Sequence, residues 1–326
     1  MFIKFFNQIS KNDVEIAGGK GASLGELIRT GIPVPSGFVI LANAFDYFLD
    51  KEGLFAEVES ELSKINFEDP NSVEETSERL RGLIEKVEMP EEIVKEIVNS
   101  YQLLVISENK KTENRKLSTD NFFVAVRSSA TAEDSNIASW AGELETYLNT
   151  TEKNLIQNIK KCWSSLFTPR ALFYRHEKGL IKDKVSVAVV VQTMIQSEIS
   201  GICFTVHPVT KDKNQLVIEA GYGLGEAIVG GMITPDNYIV NKTNQKIVDV
   251  YISEQGKMIV KSAKGTSEKI VPISLRMKQK LNKEQIIELA EICTNIEKHY
   301  STPQDIEWAL EKNKFFIVQS RPITTL

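Results

Sequence analysis

The residues with the clearest chemical potential lie near the end of the chain, in D-I-E-W-A-L-E-K-N-K-F-F-I-V-Q-S-R-P (305–322), where charged and amide side chains interrupt strand-like sequence. Two runs, Asp305 to Glu311 and Phe315 to Arg321, flank Lys312-Asn313-Lys314, which reads as a three-residue hairpin loop with Asn suited to a left-handed conformation. That loop pairs Glu311 with Phe315, Glu307 with Gln319, and Asp305 with Arg321. Side chains alternate along strands, so Asp305, Glu307, Gln319 and Arg321 share one face. Two carboxylates, an amide and a guanidinium suit a divalent metal that holds a polyphosphate, with the cation on the same oxygens. Taken alone, the stretch is read more simply as a solvated hairpin face with cross-strand ion pairs.

Further chemistry-bearing residues sit upstream. Ala17 to Ile28, A-G-G-K-G-A-S-L-G-E-L-I, is a glycine-rich turn feeding an amphipathic helix, with Lys20 as a point charge among Gly18, Gly19 and Gly21. It is neither a Walker A loop nor a dinucleotide fingerprint, so phosphate contact competes with a plain helix-entry loop. In F-F-V-A-V-R-S-S-A-T-A-E-D a Val-rich strand delivers Arg127 and then Ser128, Ser129 and Thr131, an anion-binding edge. In S-W-A-G-E-L-E-T-Y-L-N, Ala141-Gly142 makes a tight turn before an alternating segment; it is either a lid over phosphates or an ordinary hairpin. Gln192 is the unexpected polar residue of the buried strand Val185 to Ile195, whose last residues, Gln192 to Ile195, offer backbone groups to a nucleotide base. Arg170 and Arg175, five apart in a helix opened by Pro169, read as surface residues. G-Y-G-L-G-E (221–226) reads as a close-packing turn, because Glu226 sets a negative charge where a phosphate needs a positive end.

The elements that must position these residues follow from periodicity. A strand over Phe2 to Phe6 precedes the first helix; Ala44 to about Ile106 is helical with charged faces, an insert; Ser107 to Asn121 reads as a polar loop. Helices are expected from Glu152 to Leu166 and from Lys283 to His299, with strands at Ser200–Thr210, Asn237–Tyr251 and Lys257–Lys261. At 326 residues, 42% apolar and 25% charged, the chain can bury a large core. A net charge of −5 argues against binding nucleic acid by bulk electrostatics. No apolar run reaches membrane-span length, and three widely spaced cysteines without zinc-like spacing point to a reducing, cytoplasmic setting.

Six blocks, G-G-K-G-A-S-L-G-E-L, V-A-V-R-S-S-A-T-A-E-D, S-W-A-G-E-L-E-T-Y-L-N, S-G-I-C-F-T-V-H-P-V-T, G-Y-G-L-G-E and D-I-E-W-A-L…V-Q-S-R-P-I-T, together resemble the nucleotide-binding domain of phosphoenolpyruvate synthase, which also occurs in pyruvate phosphate dikinase and rifampicin phosphotransferase. The resemblance covers the whole chain and implies an α+β, ATP-grasp-like fold with ATP between two lobes: residues 1–195 with a helical insert at about 45–120, and residues 196–326 ending in the metal-binding hairpin. By resemblance, Lys20 and Arg127 contact phosphate, Gly142 and Thr146 belong to a phosphate-covering loop, and Gln192, Met194 and Ile195 lie in the adenine hinge. Glu307 and Gln319 become Mg2+ ligands with Asp305 beside them, Arg321 the cation on the transferred phosphoryl, and Arg170 its assistant. Charge neutralisation and alignment, carried here by Lys20, Arg127 and Arg321, are what phosphoryl transfer demands. Glu143 departs from the Gln of many relatives and adds a negative charge to the lid.

In relatives a carrier histidine on a separate domain receives the phosphoryl group. None of His176, His207 and His299 lies in that motif, so the partner is expected in cis or in trans, with the final acceptor, pyruvate or another, bound elsewhere. The leading expectation is an ATP-dependent phosphoryl donor of phosphoenolpyruvate synthase type; the alternatives are the ATP domain of a rifampicin phosphotransferase-type antibiotic kinase and a non-catalytic nucleotide sensor.

Overall fold

The structure, a computed structural model, describes residues 1–111, 118–131, 144–181, 186–262 and 265–324. It is a mixed α+β chain whose sheets are antiparallel. Two compact units divide it: Met1–Glu26 with Ser36–Met194, and Leu27–Pro35 with Ile195–Leu326.

The first unit is built on a five-stranded sheet of β1 (Ile3–Phe5), β2 (Gly37–Ile40), β3 (Val124–Ala130), β4 (Thr146–Thr150) and β5 (Val187–Thr193), in the order β1-β2-β5-β3-β4. Alternation sorts its two faces. Phe38, Ile40, Val124, Val126, Val187, Val189 and Val191 enter the apolar core with α2 (Ala42–Lys51), α3 (Phe55–Ser63), α4 (Pro70–Lys86), α5 (Glu91–Lys111), α6 (Glu152–Ser164) and α7 (Pro169–Glu177). Register puts Val39, Val190, Ala125, Arg127, Ser129, Gln192 and Thr146 on the other face. There α1 (Val14–Arg29) packs its small residues: a Cβ on Gly21 would stand 3.0 Å from Val39. Helix starts carry local signals, with Pro70 after the Asp69 cap and Pro169 after the Thr168 cap.

The second unit has a six-stranded sheet of β6 (Ile199–Phe204), β7 (Gln215–Tyr222), β8 (Asp236–Asn241), β9 (Lys246–Tyr251), β12 (Gln304–Glu311) and β13 (Lys314–Pro322), ordered β13-β12-β6-β7-β8-β9. A separate hairpin joins β10 (Lys257–Ser262) to β11 (Gly265–Ile270), and two short helices, α8 (Glu226–Val229) and α9 (Ile273–Arg276), lie in the connections. One sheet face packs Cys203, Ile218, Tyr238, Ile306, Trp308 and Ile317 against α10 (Lys283–Tyr300), which an Asn282/Gln285 capping box begins.

Several expectations need correction. The polar stretch after Ser107 continues α5 to Lys111, because one face of that helix still packs on the core through Leu104 and Val105. The strand expected over Ser200–Thr210 stops at Phe204, and His207 lies in the loop beyond it. Arg175 is buried and donates to the carbonyls of Leu180 and Ile181, so it ties down the segment that follows its helix rather than facing water. The reading of 221–226 as a close-packing turn agrees with Gly223, at φ 85°, where a Cβ would stand 2.3 Å from the Ile259 carbonyl oxygen. All three cysteines are buried thiols; burial pushes Cys162 up to about 12, which makes it a packing residue. Among the described residues no helix is long and apolar enough to cross a membrane.

Candidate functional site

The hairpin β12–β13 turns through two residues, not three. Lys312 and Asn313 have φ of 50° and 60°, the left-handed pair of a type I′ turn, and Glu311 pairs with Lys314 rather than with Phe315. Leu310, Ala309 and Trp308 then face Phe315, Phe316 and Ile317. A bulge at Val318 follows, and beyond it Glu307 pairs with Gln319 and Asp305 with Arg321, as alternation from the sequence expects. The bulge also reverses which face the side chains of β13 take. Without it Gln319 and Arg321 would project on the side of Phe315 and Ile317, both buried in the core. On the site face, Arg321 donates from Nε and Nη2 to Asp305 Oδ2 at 2.9 and 2.7 Å. Pro33 O accepts from Ile317 N at 2.8 Å and so covers part of this edge strand.

Register across the sheet adds a carboxylate that sequence reading missed. Glu307 pairs with Ile202, and Ile202 with Glu219 on β7, so Glu219 shares the face of Asp305 and Glu307. The available signal was an acidic residue inside the apolar run L-V-I-E-A. Burial raises the pKa of Asp305, Arg321 pulls it down, and Glu307 adds to the rise. Glu219 is raised by burial first and by the charge of Asp305 second. A carboxylate with a raised folded-state pKa is most favourable while protonated, so its contribution is present below the ordinary value and is lost as pH rises. Glu219→Gln should therefore melt higher than the parent chain at pH 7, with the difference shrinking towards pH 4.5, the ordinary glutamate value. Thermal unfolding at the two pH values checks this; an equal difference at both would exclude titration of Glu219 as the cause.

On the first unit, Arg127 pairs with Thr146, and Gln192 with Ala125 and Gly37, which brings Arg127, Thr146 and Gln192 to one sheet face. Gln192 is 2% exposed and its Nε2 is buried without a hydrogen-bond partner among the described residues. A buried amide donor left unsatisfied is costly, and a ligand acceptor would relieve it. The backbone N–H groups of Thr193 and Met194 are committed to Ser36 O and Phe123 O at 2.8 and 2.9 Å, so those two donors of the expected hinge are already used. Ile195 opens the second unit. Lys20 sits in helix rather than loop: α1 breaks only at Gly18 (φ 67°, ψ 169°) and resumes through Gly19, Lys20 and Gly21.

The serine edge differs from expectation. The Ser128 hydroxyl turns to the core and lies 2.9 Å from Glu145 O, and the Ser129 hydroxyl donates to Ala17 O at 3.0 Å. Thr131 donates to Ser186 O at 3.0 Å. These hydroxyls are spent inside the fold and leave Arg127 as the charge-bearing residue of that edge. Thr146 is exposed at the start of β4, which Arg81 steadies by donating to the Glu145 carboxylate at 3.0 and 3.2 Å. Arg170 is exposed in the first turn of α7. Gly142 and Glu143 lie outside the described residues.

The candidates thus form two groups: Lys20, Arg127, Thr146 and Gln192 on the first unit, and Asp305, Glu307, Gln319, Arg321 and Glu219 on the second. Among the described residues no three His, Cys, Asp or Glu are grouped to hold a metal by themselves. One carboxylate and one amide opposite each other fit Mg2+, which keeps waters and takes its remaining ligands from phosphates rather than from a protein cage.

The family described as pyruvate phosphate dikinase, AMP/ATP-binding domain, matches residues 14–326. A protein of Methanocaldococcus jannaschii described as a probable phosphoenolpyruvate synthase is 46% identical over 100% of this chain and 27% of its own length. The phosphoenolpyruvate synthase of Pyrococcus furiosus is 41% identical over 100% of this chain and 44% of its length. The rifampicin phosphotransferase of Bacillus cereus is 38% identical over 100% of the chain and 36% of its length. The chain therefore spans less than half the length of each of these relatives.

Proposed function

Because the chain belongs to the pyruvate phosphate dikinase AMP/ATP-binding domain family, we propose that it binds ATP with Mg2+ and donates a phosphoryl group to a histidine on a domain outside these residues. It is read as the donor half of a phosphoenolpyruvate synthase-like (pyruvate, water dikinase) reaction. The two units are the lobes of an ATP-grasp-like fold. Lys20 and Arg127 neutralise phosphate charge, Thr146 and Gly142 belong to the covering segment, and Gln192, Met194 and Ile195 meet the base. Glu307 and Gln319 hold Mg2+, which when bound supplies charge neutralisation on the phosphate oxygens. Arg321, oriented by Asp305, stabilises the transferring group, with Arg170 assisting.

The observation that carries this reading is the hairpin register, which gathers Glu307, Gln319, Asp305 and Arg321 on the face turned away from the core. The histidines support an external acceptor. His176 stacks on Phe67 with ring centroids 3.9 Å apart, and His207 Nδ1 accepts from Val209 N and Thr210 N, both at 3.2 Å. The Nδ1 lone pair of His207 is engaged by both of these N–H groups and so is not offered to phosphorus. His299 ends α10 edge-on to Tyr300.

The test mixes the chain with Mg2+, labelled ATP and a separately produced histidine domain of a dikinase. Label should pass to the histidine; tight ATP binding with no transfer counts against the donor reading and leaves a nucleotide sensor. The 38% identity to a rifampicin phosphotransferase favours a second reading, the ATP domain of an antibiotic kinase. Both readings share the half-reaction assigned here and differ in the acceptor, pyruvate or an antibiotic hydroxyl, bound elsewhere. Supplying each acceptor with its own partner domains separates them. Free buried thiols suit a reducing compartment, which is the reason to place the protein in the cytoplasm.

A further inference from the structure

We infer that Ser129 is the positioning residue for Lys20, acting from β3 as the N-cap that the Lys20 helix cannot supply itself; this rests on the reading of Lys20 and Arg127 as phosphate contacts. A helix start leaves N–H groups without intrahelical partners, and the residue before the first turn usually caps one of them with a side-chain oxygen. Here that residue is Gly18, which has no side chain. Nor is there room for one, since a Cβ would stand 2.2 Å from Ser129 Oγ and 2.3 Å from Ser129 O, and φ of 67° strains any other residue. Ser129 Oγ fills the place from the neighbouring strand. It accepts from Gly21 N at 3.3 Å, the third residue of the resumed helix, and donates to Ala17 O at 3.0 Å, the last carbonyl before the break.

The two bonds grip the backbone on either side of Lys20. Ser129 is fully buried and lies two residues beyond Arg127 on the same face of the same strand. One hydroxyl therefore ties the helix carrying one cation to the strand carrying the other, and sets the distance over which both can meet a polyphosphate. Charge-assisted contacts depend on such placement, so losing the tie should weaken recognition of phosphate and leave recognition of the base intact. The neighbouring Ser128 is equally buried but turned to the core, which makes it an internal control.

The test measures binding of Mg2+-ATP and of adenosine to the 326-residue chain by calorimetry, together with thermal unfolding, for Ser129→Ala, Lys20→Ala, the double variant and Ser128→Ala. Ser129→Ala should bind ATP about fivefold to tenfold more weakly, the loss expected of one hydrogen bond, with adenosine affinity unchanged. In the Lys20→Ala background it should add nothing, because it acts through Lys20. Ser128→Ala should keep ATP affinity. Wild-type ATP affinity in Ser129→Ala, an equal loss for adenosine, or losses that multiply in the double variant would overturn the inference. Should Ser129→Ala fail to fold, Ser129→Cys takes its place with the same criteria, because a thiol accepts and donates hydrogen bonds far more weakly than a hydroxyl. If Lys20→Ala alone binds ATP as the parent does, the phosphate reading of the site fails and this inference with it, a result distinguishable from failure at Ser129 only.

Discussion

Asp236→Ala should destabilise the second unit by about 3–5 kcal/mol, the range for breaking a buried ion pair from one side. Asp236 and Lys280 both have side chains with 0% exposure and meet at 2.9 Å. The carboxylate has little spare capacity: Oδ1 also accepts from Ser253 N at 3.0 Å, and Oδ2 from Lys280 N at 3.0 Å and the Tyr238 hydroxyl at 2.8 Å. Lys280 Nζ donates further to Ser253 O at 2.8 Å and lies 5.4 Å from the centroid of the Tyr222 ring. Removing the carboxylate strands an ammonium and two backbone N–H groups where water does not reach. The melting temperature should fall by roughly 6–20 °C, taking about 2–4 °C per kcal/mol for a domain of this size. Asp236→Asn/Lys280→Met, with neither charge left, should lose less than the two single variants added together. Differential scanning calorimetry of the parent chain, Asp236→Ala, Asp236→Asn, Lys280→Met and the double variant checks both statements, and additive losses in the Asn/Met cycle would show that the pair is not coupled. The network matters to the site because β8, which begins at Asp236, belongs to the same sheet as β12, and Leu281 N is held by the Tyr238 hydroxyl at 3.2 Å just before α10 begins.

Arg321→Ala should cut phosphoryl transfer to a supplied histidine domain by about 10²–10³ while lowering ATP affinity by less than about tenfold, as expected of a cation whose contact tightens in the transition state. Its geometry in the ground state supports this division. Both donating nitrogens of Arg321 reach one oxygen of Asp305, and the arginine side chain remains 39% exposed, so part of the guanidinium stays accessible. Glu307→Gln should act differently, weakening nucleotide binding chiefly when Mg2+ is present, because it removes a charged ligand and leaves the arginine in place. Single-turnover transfer and Mg2+-dependent ATP titrations resolve the two. Equal losses of transfer and affinity in Arg321→Ala would make it an ordinary binding residue, and unchanged Mg2+ dependence in Glu307→Gln would remove its ligand role.

Much of the candidate site was legible because its signals are local. A lysine among glycines, an arginine in a Val-rich strand and a lone glutamine in an apolar run each contradict their surroundings. What those residues touch was not legible. Ser128 and Ser129 are adjacent and chemically identical, yet alternation sends one hydroxyl into the core beside Glu145 O and the other under Gly18. Neither is open to an anion, and only the tertiary neighbours decide that. Asp236 and Lys280 lie 44 residues apart without any pattern linking them. Glu219 gains its position from two successive strand pairings.

The hairpin separates the two kinds of information most sharply. By itself the sequence determined that two strands turn near Asn313 and that Asp305, Glu307, Gln319 and Arg321 share a face, since turn chemistry and the two-residue period are properties of short segments. A three-residue loop and no bulge reach the same two pairings as the observed two-residue turn followed by a bulge at Val318. Only the tertiary structure decided between them. Phe315 and Ile317 must enter the core beside Trp308 and Leu310, while Gln319 and Arg321 must leave it, and an unbroken alternation along β13 cannot satisfy both.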